Sequence, residues 1–260
     1  MSGVHPAAAV GFARAAEVYE RARPSYPAEA VAWLVERCGV GPGRTVVDVG
    51  AGTGKLTRLL PATGARVIAV EPIPEMRALI DGVEVLDGTA EALPLGDGSA
   101  DAIVVAQAFH WFDHASALAE FHRVLTPDGR LGLIWNSRDL DDPLQSELDA
   151  LLKPYRRRVA DQQSGGWRPP LEASPFFGPV EERGFPFAQS FTTDDLCERV
   201  ASTSFVAAAA PDLREELLVR VRSLTVGFEE PFPFRYRTDV YVVPRSRDQV
   251  VDGRGTSIQG

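Results

Sequence analysis

The stretch VVDVGAGTGKLTRLL, residues 46–60, has the residue types and spacing of a ligand-binding turn. A single acid, Asp48, stands among apolar residues, and the glycine-rich turn GAGTG at 50–54 follows before a pattern of helical period begins. Glycine lets the backbone approach a ligand closely, and N–H groups at a helix start favour phosphate or another polar part of a nucleotide. The stretch therefore predicts a nucleotide site, with a tight strand-to-helix connection that needs positive φ as the alternative.

The glycine spacing and a second acid narrow the choice of nucleotide. The glycines follow GxGxG rather than the GxGxxG of dinucleotide sites, and Lys55 is not followed by the Ser or Thr of a phosphate-binding P-loop. About 20 residues further on, Glu71 ends the next apolar stretch, where a carboxylate accepts hydrogen bonds from both ribose hydroxyls. A solvated glutamate is the alternative for Glu71 alone. Together, the two signals in one βαβ unit predict adenosine binding.

Alternating strand-like and helix-like patterns surround these residues. Short apolar or alternating runs predict strands at residues 45–50, 66–72, 83–88, 100–108, 130–136, 185–192 and 234–244. Helical periodicity predicts helices within residues 26–43, 55–60, 74–80, 113–129, 194–205 and 212–228, and residues 153–179 are typical of an irregular or partly helical cap. Such alternation indicates a parallel sheet with helices on both faces.

Composition and charge favour a small-molecule partner. The 260 residues, 45% of them hydrophobic, suffice for one large domain or a domain with an inserted cap. A formal net charge of −9 disfavours nucleic acid and membrane partners, and we expect neither. Cys38 and Cys197 lack metal-ligand spacing, which predicts free thiols, no metal and a reducing compartment. With no secretory leader or membrane-spanning run apparent, we expect a cytoplasmic monomer or homodimer.

Three further stretches complete a recognisable set. They are DGTAEALPL at 87–95 after the third strand, AQAFHWFD at 106–113 after the fourth, and EVYERARPSYP at 17–27 before the sheet. With VVDVGAGTGKLT, VIAVEPIPEM and RVLTPDGRLGLIWN, they make the chain resemble the class I S-adenosylmethionine-dependent methyltransferases. Within that family the chain is similar to the trans-aconitate methyltransferase-like, or methyltransferase type 11, branch.

The resemblance covers Tyr19 to about Asn136 in order, and FRYRTDVYVVPR near the C-terminus is similar to the same branch. It weakens between Leu140 and Pro179, so it implies no particular substrate. The implied function is methyl transfer from S-adenosylmethionine to a small organic acceptor at oxygen, nitrogen or carbon. S-adenosylhomocysteine is then the product.

The family also implies how the chain is organised. We expect an α/β fold with a Rossmann-like, seven-stranded, mostly parallel sheet, whose final strand is antiparallel. Residues 1–43 would form an N-terminal helical arm and first helix, residues 44–243 the methyltransferase domain, and residues 244–260 a loose tail. Residues 140–180 would form a substrate cap inserted between the fifth strand and the last strands.

Cofactor contacts carry over to the matching positions of this sequence. The turn residues would line the methionine part, Glu71 would bind the ribose, and Tyr19 and Arg23 would close over the carboxylate. For Ile73 and Met76, a place in the plain core is an equal alternative to adenine contact. The full implied set is Tyr19, Arg23, Asp48, Gly50, Ala51, Gly52, Glu71, Pro72, Ile73, Met76, Thr89, Ala90, Glu91 and Gln107.

Candidate residues for the chemistry and for the acceptor are fewer. His110, in the aromatic cluster after the fourth strand, is the candidate catalytic base, with a packing role as the alternative. Arg156–Arg158 and Arg168 are candidates to attract an acidic substrate, against a solvated basic face. Trp167 and Phe176-Phe177 would either wall an apolar pocket or anchor the cap to the sheet.

Rival functions share part of this pattern. A protein that binds S-adenosylmethionine for other chemistry, such as cyclisation, would carry the same motifs. A nicotinamide dehydrogenase is disfavoured by the GxGxG spacing and by the lack of a convincing Tyr-x-x-x-Lys. A non-catalytic interaction module is the third alternative, and cofactor binding by the free protein distinguishes it from the enzyme.

Overall fold

Seven strands form one sheet in the computed structural model, which describes residues 24–155 and 165–247. The strands are β1 (Thr45–Val49), β2 (Arg66–Val70), β3 (Glu84–Leu86), β4 (Ala100–Ala106), β5 (Leu125–Arg138), β6 (Glu181–Phe191) and β7 (Phe232–Pro244). Their order across the sheet is β3-β2-β1-β4-β5-β7-β6. The first five strands are parallel, and β7 runs antiparallel to both of its neighbours.

Helices flank this sheet throughout the described part of the chain. They are α1 (Ala28–Cys38), α2 (Pro74–Arg77), α3 (His114–Val124), α4 (Pro143–Leu152), α5 (Arg168–Glu172), α6 (Thr193–Ala201), α7 (Ser204–Ala207) and α8 (Pro211–Ser223). Within residues 24–155 and 165–247, every helix is too short or too polar to cross a bilayer. Residues 1–23 of the predicted arm and 248–260 of the predicted tail lie outside the described residues.

Alternate residues of the buried strands supply a core on each face of the sheet. On β1, Val47 and Val49 join the cluster beneath α3, whereas Val46 joins the cluster beneath α1. Because helices cover both faces, both sets of side chains are apolar, and the strands appear in the sequence as continuous apolar runs. The predicted Rossmann-like, seven-stranded, mostly parallel sheet is confirmed.

Helix α1 lies very close to the sheet. Its buried stripe is Ala30, Leu34 and Cys38, and Gly39 ends the helix in the left-handed conformation at a φ of 65°. At Gly132 on β5, an added Cβ would clash with Leu34 Cδ1 and stand 2.9 Å from Cys38 Sγ, so this close approach favours glycine. Burial raises the pKa of the Cys38 thiol to about 12, against a lowering by Arg130.

The helix predicted for residues 55–60 is instead a 3₁₀ turn, Thr57–Leu59, followed by a second one, Pro61–Thr63. Pro61 lacks the N–H that a continuing α-helix would need. The side chain of Thr57 also turns inward, where its Oγ1 donates to Asp48 Oδ2 at 2.6 Å. Helix α3 likewise ends earlier than predicted, at Val124, because the next residue already pairs with β4.

A third apolar cluster lies where β7 continues beyond β5 and pairs with β6 alone. Helices α4, α6 and α8 cover this part of the sheet, and we call the assembly the C-terminal lobe. Phe191 of β6 stacks on Phe234 of β7 with ring centroids 4.8 Å apart. The other large members of the cluster are Leu144, Leu148, Leu152, Leu196, Val200, Val206, Leu217, Val221, Phe232 and Tyr236. Residues 143–152 of the predicted cap therefore belong to this lobe.

Trp167 anchors residues 165–180 of the predicted cap to the sheet. Its ring centroid lies 4.6 Å from that of Trp135 and 4.9 Å from that of Tyr241, and the residue is only 4% exposed. Next to it, Arg168 forms ion pairs with Glu172 and Glu182 on the surface. The predicted basic triplet at 156–158 lies outside the described residues.

Candidate active site

A cavity opens at the carboxyl ends of the parallel strands. Parallel α/β sheets bind their ligands at this edge. Asp48 does not line the cavity, and Tyr19 and Arg23 lie outside the described residues. The predicted cofactor residues that do line it are Gly50, Ala51, Gly52, Glu71, Pro72, Ile73, Met76, Thr89, Ala90, Glu91 and Gln107.

The Glu71 carboxylate is held by the backbone at both oxygens. Its Oε2 accepts a hydrogen bond from the Gly52 N–H at 2.8 Å, and its Oε1 accepts one from the Ile73 N–H at 2.9 Å. Burial raises the pKa of Glu71, against a lowering by these N–H groups and by Arg77. Each oxygen keeps a lone pair for another donor, so the carboxylate is oriented to accept from two hydroxyl groups at the cavity wall.

The turn after β1 is fitted closely to its neighbours. The N–H groups of Gly50 and Ala51 both donate to the carbonyl of Val70, at 2.8 and 3.2 Å. Gly50 has a φ of +66°, and a Cβ there would stand 3.0 Å from Ala108 Cβ and 3.2 Å from Phe112 Cζ. The conformation and the contacts both require glycine at position 50. The turn is therefore a tight connection that needs positive φ, and it also lies on the cavity wall.

Beneath this turn, Asp48 is fully buried, and only one of its two carboxylate oxygens has a hydrogen-bond partner. Oδ2 accepts from Thr57, whereas Oδ1 has no partner among the described residues. Burial raises the pKa of Asp48 to about 7; the Thr57 hydrogen bonds lower it and the nearby Glu71 charge raises it further. Since this pKa exceeds the ordinary value of 3.8, the folded state binds the Asp48 proton more tightly than the unfolded chain does.

We expect Asp48→Asn to change how stability depends on pH. The stabilisation that Asp48 gives the folded state is complete below its ordinary pKa of 3.8 and is lost as the pH rises to about 7. The unfolding free energy of the variant, minus that of the wild type, should therefore increase between about pH 4 and pH 7 and level off above that range in urea titrations. The exposed Asp81→Asn is the matched control. A difference that stays constant with pH would contradict the assignment.

The adenine end predicted from the sequence is a slot with an apolar floor. Ile73 and Met76 line the cavity and are only 9% and 3% exposed. Both residues therefore belong to the core and also face the cavity. The loop after β3 closes the slot through a bridge between Thr89 and Ala92. Glu91 Oε1 accepts from the N–H of Asp113 at 3.0 Å, which ties this loop to the start of α3.

Gln107 lies at the cavity edge in a strained backbone conformation. Its φ is 58°, in the left-handed region that non-glycine residues rarely adopt, and its N–H donates to the Ile134 carbonyl at 3.0 Å. Such strain persists where the surrounding structure fixes it, often at a ligand site. Gln107 therefore marks the point where the chain leaves β4 to form the cavity wall.

The 3₁₀ turn Phe109–Trp111 determines which aromatic residue reaches the cavity. With three residues per turn, successive side chains point about 120° apart. Phe109 is buried and Trp111 lines the cavity, whereas His110 does not line it. The His110 Nδ1 accepts a long hydrogen bond, 3.4 Å, from Trp135 Nε1, which leaves the proton of a neutral ring on Nε2. This placement favours a packing role, and the catalytic base stays a prediction.

Asn136, at the end of β5, attaches the segment before α1 to the cavity. Thr238 Oγ1 donates to Asn136 Oδ1 at 2.6 Å, which fixes the orientation of the amide. The Asn136 Nδ2 then donates to the carbonyl oxygens of Pro24 and Ser25 at 3.4 and 3.2 Å. Residues 24–26 consequently form one wall, on which Pro24 and Tyr26 line the cavity.

Sequence reasoning missed part of the cavity. All of the missed residues except Arg199 lie inside the motif stretches quoted above, but the motifs did not show that these particular side chains reach the cavity. Arg199 is different because it comes from α6 in the C-terminal lobe, where no motif pointed to it. The missed residues are Pro24, Tyr26, Thr53, Lys55, Leu56, Gly88, Ala106, Ala108, Trp111, Phe112, Asn136 and Arg199.

These features fit S-adenosylmethionine, the cofactor that the resemblance implies. Gly50, Ala51 and Gly52 bring backbone without bulky side chains to the cavity wall, and the two fixed oxygens of Glu71 would suit a pair of ribose hydroxyls. Ile73 and Met76 line the cavity with apolar side chains, which would suit an adenine ring. Among the described residues, no cluster of His, Cys, Asp and Glu is arranged to hold a metal ion.

Sequence comparisons point to the same chemistry. Residues 47–133 match the family model described as a methyltransferase domain. The uncharacterized methyltransferase Rv3342 of Mycobacterium tuberculosis is 41% identical over 223 residues, which cover 83% of this chain and 85% of the relative. An uncharacterized methyltransferase-like protein of Schizosaccharomyces pombe, C25B8.10, is 34% identical over 204 residues, covering 76% and 79% of the two chains.

Solved structures share the fold at lower identity. A chain from Anaeromyxobacter dehalogenans assigned as a type II methyltransferase has a TM-score of 0.66 and 23% identity, covering 86% of this chain and 97% of that chain. The YcgJ protein of Bacillus subtilis has a TM-score of 0.53 and 20% identity, covering 85% and 99%. With the fold from these structures and the family from the sequence relatives, the chain belongs to the class I S-adenosylmethionine-dependent methyltransferases.

Proposed function

We propose that this methyltransferase acts on a small organic acceptor that binds beside S-adenosylmethionine. The observation that carries the proposal is that two sets of residues line a single cavity. One set is the predicted cofactor residues after β1 to β4; the other comes from β5, the C-terminal lobe and residues 24–26. This second set, which includes Tyr26, Asn136 and Arg199, is available to an acceptor.

The chain's own residues would bind the cofactor, orient the acceptor towards it and exclude water from the reacting groups. S-adenosylmethionine, when bound, supplies a methyl group already activated on a sulfonium, so alignment is the main task of the protein. Glu71 and the backbone at 50–52 would hold the cofactor in place. Trp111 and Phe112 bring aromatic surface to the wall beside the turn, where they would displace water from the reacting groups.

The proposal keeps the trans-aconitate methyltransferase-like branch predicted from the motifs, with oxygen, nitrogen or carbon as the methylated atom. A carboxylate oxygen is already charged, whereas a hydroxyl, an amine or a carbon acid must lose a proton. It also keeps the cytoplasmic location and the monomer or homodimer. The free, buried thiols of Cys38 and Cys197 support a reducing compartment.

Calorimetric titration with S-adenosylmethionine, S-adenosylhomocysteine and NADH is the first test. We expect both S-adenosyl compounds to bind and NADH not to bind. Tritiated S-adenosylmethionine is then supplied with a small-molecule extract, a protein extract or RNA in parallel. Label in the small molecules, with an equal amount of S-adenosylhomocysteine, supports the proposal. Label in protein or RNA contradicts it, and binding without transfer favours the non-methylating alternative.

We expect His110→Ala to retain most of its turnover, because the ring does not line the cavity. Trp111→Ala, one residue away on the cavity wall, should lower kcat/KM much more. Both are measured by tritium transfer to the acceptor that the screen identifies. A fall of about 10²–10⁴ in kcat for His110→Ala, with unchanged binding of S-adenosylhomocysteine, would instead support the predicted catalytic base.

A further inference from the structure

Arg77 closes a ring of contacts around the carboxylate that is predicted to bind the ribose. It is the last residue of α2, and its Nη1 donates to the Glu71 carbonyl oxygen at 2.5 Å. The Glu71 side chain in turn accepts from the Ile73 N–H at 2.9 Å, and the Arg77 N–H donates to the Ile73 carbonyl at 2.9 Å. Residues 71–77 therefore form one closed unit that Arg77 completes.

Helix α2 depends on such contacts because it is very short. It has 4 residues, whereas isolated helices of fewer than about 12–15 residues are marginal in water. The same segment carries Ile73 and Met76, whose side chains line the cavity where adenine is predicted to bind. The position of this apolar floor therefore depends on contacts that α2 makes with its surroundings, and Arg77 supplies a side-chain contact at the C-terminal end.

The same nitrogen of Arg77 also reaches the loop after β3. Its Nη1 donates to Asp87 Oδ1 at 3.1 Å, and Asp87 directly follows the last residue of β3. Residues 89–91 of this loop line the cavity, whereas Arg77 itself does not. Arg77 thus connects the end of β2 with the loop after β3 from outside the space that a ligand would fill.

Arg77 also opposes the effect of burial on Glu71. Burial raises the pKa of Glu71, and the N–H groups of Ile73 and Gly52 and the charge of Arg77 lower it. An ionised carboxylate accepts hydrogen bonds at both oxygens, whereas a protonated one carries a donor on one of them. Arg77 therefore favours the form that accepts from two ribose hydroxyls. The titratable or charged groups on the elements beside Glu71 are Asp48 of β1, Lys55 after the glycine-rich turn, Glu75 and Arg77 of α2, and Asp87 after β3.

We propose that Arg77 is a positioning residue for the cofactor, which orients Glu71, the apolar floor and the loop after β3 without touching the cofactor. This inference rests on the proposed function, because it requires that Glu71 binds the ribose. Arg77 directly follows the motif stretch VIAVEPIPEM, and no motif indicated a role for it. Since Arg77 lies outside the cavity, its loss should change how the ribose is recognised while the space for the cofactor stays open.

Two ligands that differ in one hydroxyl group test the inference. Calorimetric titration of the full chain compares S-adenosylhomocysteine with its 2′-deoxy analogue. The wild type should prefer S-adenosylhomocysteine by about tenfold or more, because the analogue lacks one hydrogen bond to a charged group. Arg77→Met and Arg77→Gln should both lose most of this preference, and using two variants keeps the test independent of the folding of either one. Arg77→Lys, which keeps the charge, should retain part of the preference.

The pH dependence of S-adenosylhomocysteine binding is the second measurement. Binding by the ionised carboxylate is lost as the pH falls through the pKa of Glu71, and Arg77 lowers that pKa. In titrations between about pH 5 and pH 8, the loss of affinity should therefore begin at a higher pH in Arg77→Met than in the wild type. Asp48 titrates in the same range, but its pKa responds to burial, Thr57 and Glu71, so the comparison still reports on Glu71.

Arg66→Met is the matched control. Arg66 begins β2 and pairs with Glu84 of β3 at 2.7 Å, so it also links these two strands, but at the end opposite the cavity. Its loss should leave the affinity, the preference for the 2′-hydroxyl and the pH dependence unchanged. Far-UV circular dichroism of all variants checks that the fold is intact.

The outcomes distinguish the inference from the proposed function. If the wild type fails to bind S-adenosylhomocysteine, the proposed function itself fails. If the wild type binds both ligands equally, Glu71 does not recognise the ribose hydroxyls and the inference is overturned. If the arginine variants keep the wild-type preference and pH dependence, with or without an equal loss of affinity for both ligands, Arg77 has at most a structural role and the positioning inference alone is refuted.

Discussion

Alanine at Glu71 should weaken the binding of S-adenosylhomocysteine by roughly 100-fold or more, because each charge-assisted hydrogen bond to a ribose hydroxyl contributes about 1.5–3 kcal/mol. The substitution also removes the acceptors for the N–H groups of Gly52 and Ile73, so the turn after β1 loses an attachment to the end of β2. Calorimetric titration measures the effect directly.

The control for Glu71→Ala is Glu75→Ala, four positions later and exposed. It changes the net charge equally and should leave the affinity unchanged. Far-UV circular dichroism of both variants checks that the fold is intact. If a folded Glu71→Ala protein bound S-adenosylhomocysteine as tightly as the wild type, the ribose assignment would be wrong.

Removing the indole of Trp167 should have the largest effect on stability, about 3–5 kcal/mol in the free energy of unfolding. The ring contacts Trp135, Tyr241 and Phe109, with centroids 4.6, 4.9 and 6.4 Å away. Alanine would leave a cavity between the sheet and residues 165–180. Urea unfolding of Trp167→Ala gives the value.

Phe228→Ala is the comparison for Trp167→Ala, since Phe228 is 46% exposed and its truncation should cost less than about 0.5 kcal/mol. If Trp167→Ala lowered the free energy of unfolding as little as Phe228→Ala does, residues 165–180 would not be anchored by this ring. Limited proteolysis adds a local measure, because release of the segment should expose new cleavage sites between residues 165 and 180.

Most of the residues predicted to bind the cofactor come together in one cavity because their signals are local in the sequence. Gly52 and Glu71 are 19 residues apart in one βαβ unit, and parallel pairing of β1 with β2 brings them within hydrogen-bond distance. Continuous apolar runs identify buried parallel strands, so the sheet followed from the same pattern. The antiparallel last strand came from the family resemblance rather than from periodicity.

His110 and Arg199 show what local sequence patterns do not determine. The sequence order shows that residues 109–112 follow β4. It does not show that the 3₁₀ turn directs Trp111, and not His110, towards the cavity. Arg199 lies on a polar position of an amphipathic helix, which predicts a solvated side chain. Periodicity identifies the buried face of α6. It does not show that the polar face lies at the cavity, because that depends on how the whole C-terminal lobe packs against the sheet.

The attachment of residues 24 and 25 through Asn136 has a consequence for how this enzyme can diversify. Asn136 contacts only main-chain carbonyl oxygens there, and every amino acid supplies such an oxygen. The side chain of Ser25 is exposed and takes no part in the contact. Mutations at residue 25, between the cavity-lining residues Pro24 and Tyr26, can therefore accumulate while the attachment persists. Evolution or directed mutagenesis has a position beside the cavity wall that can vary with little risk to the fold.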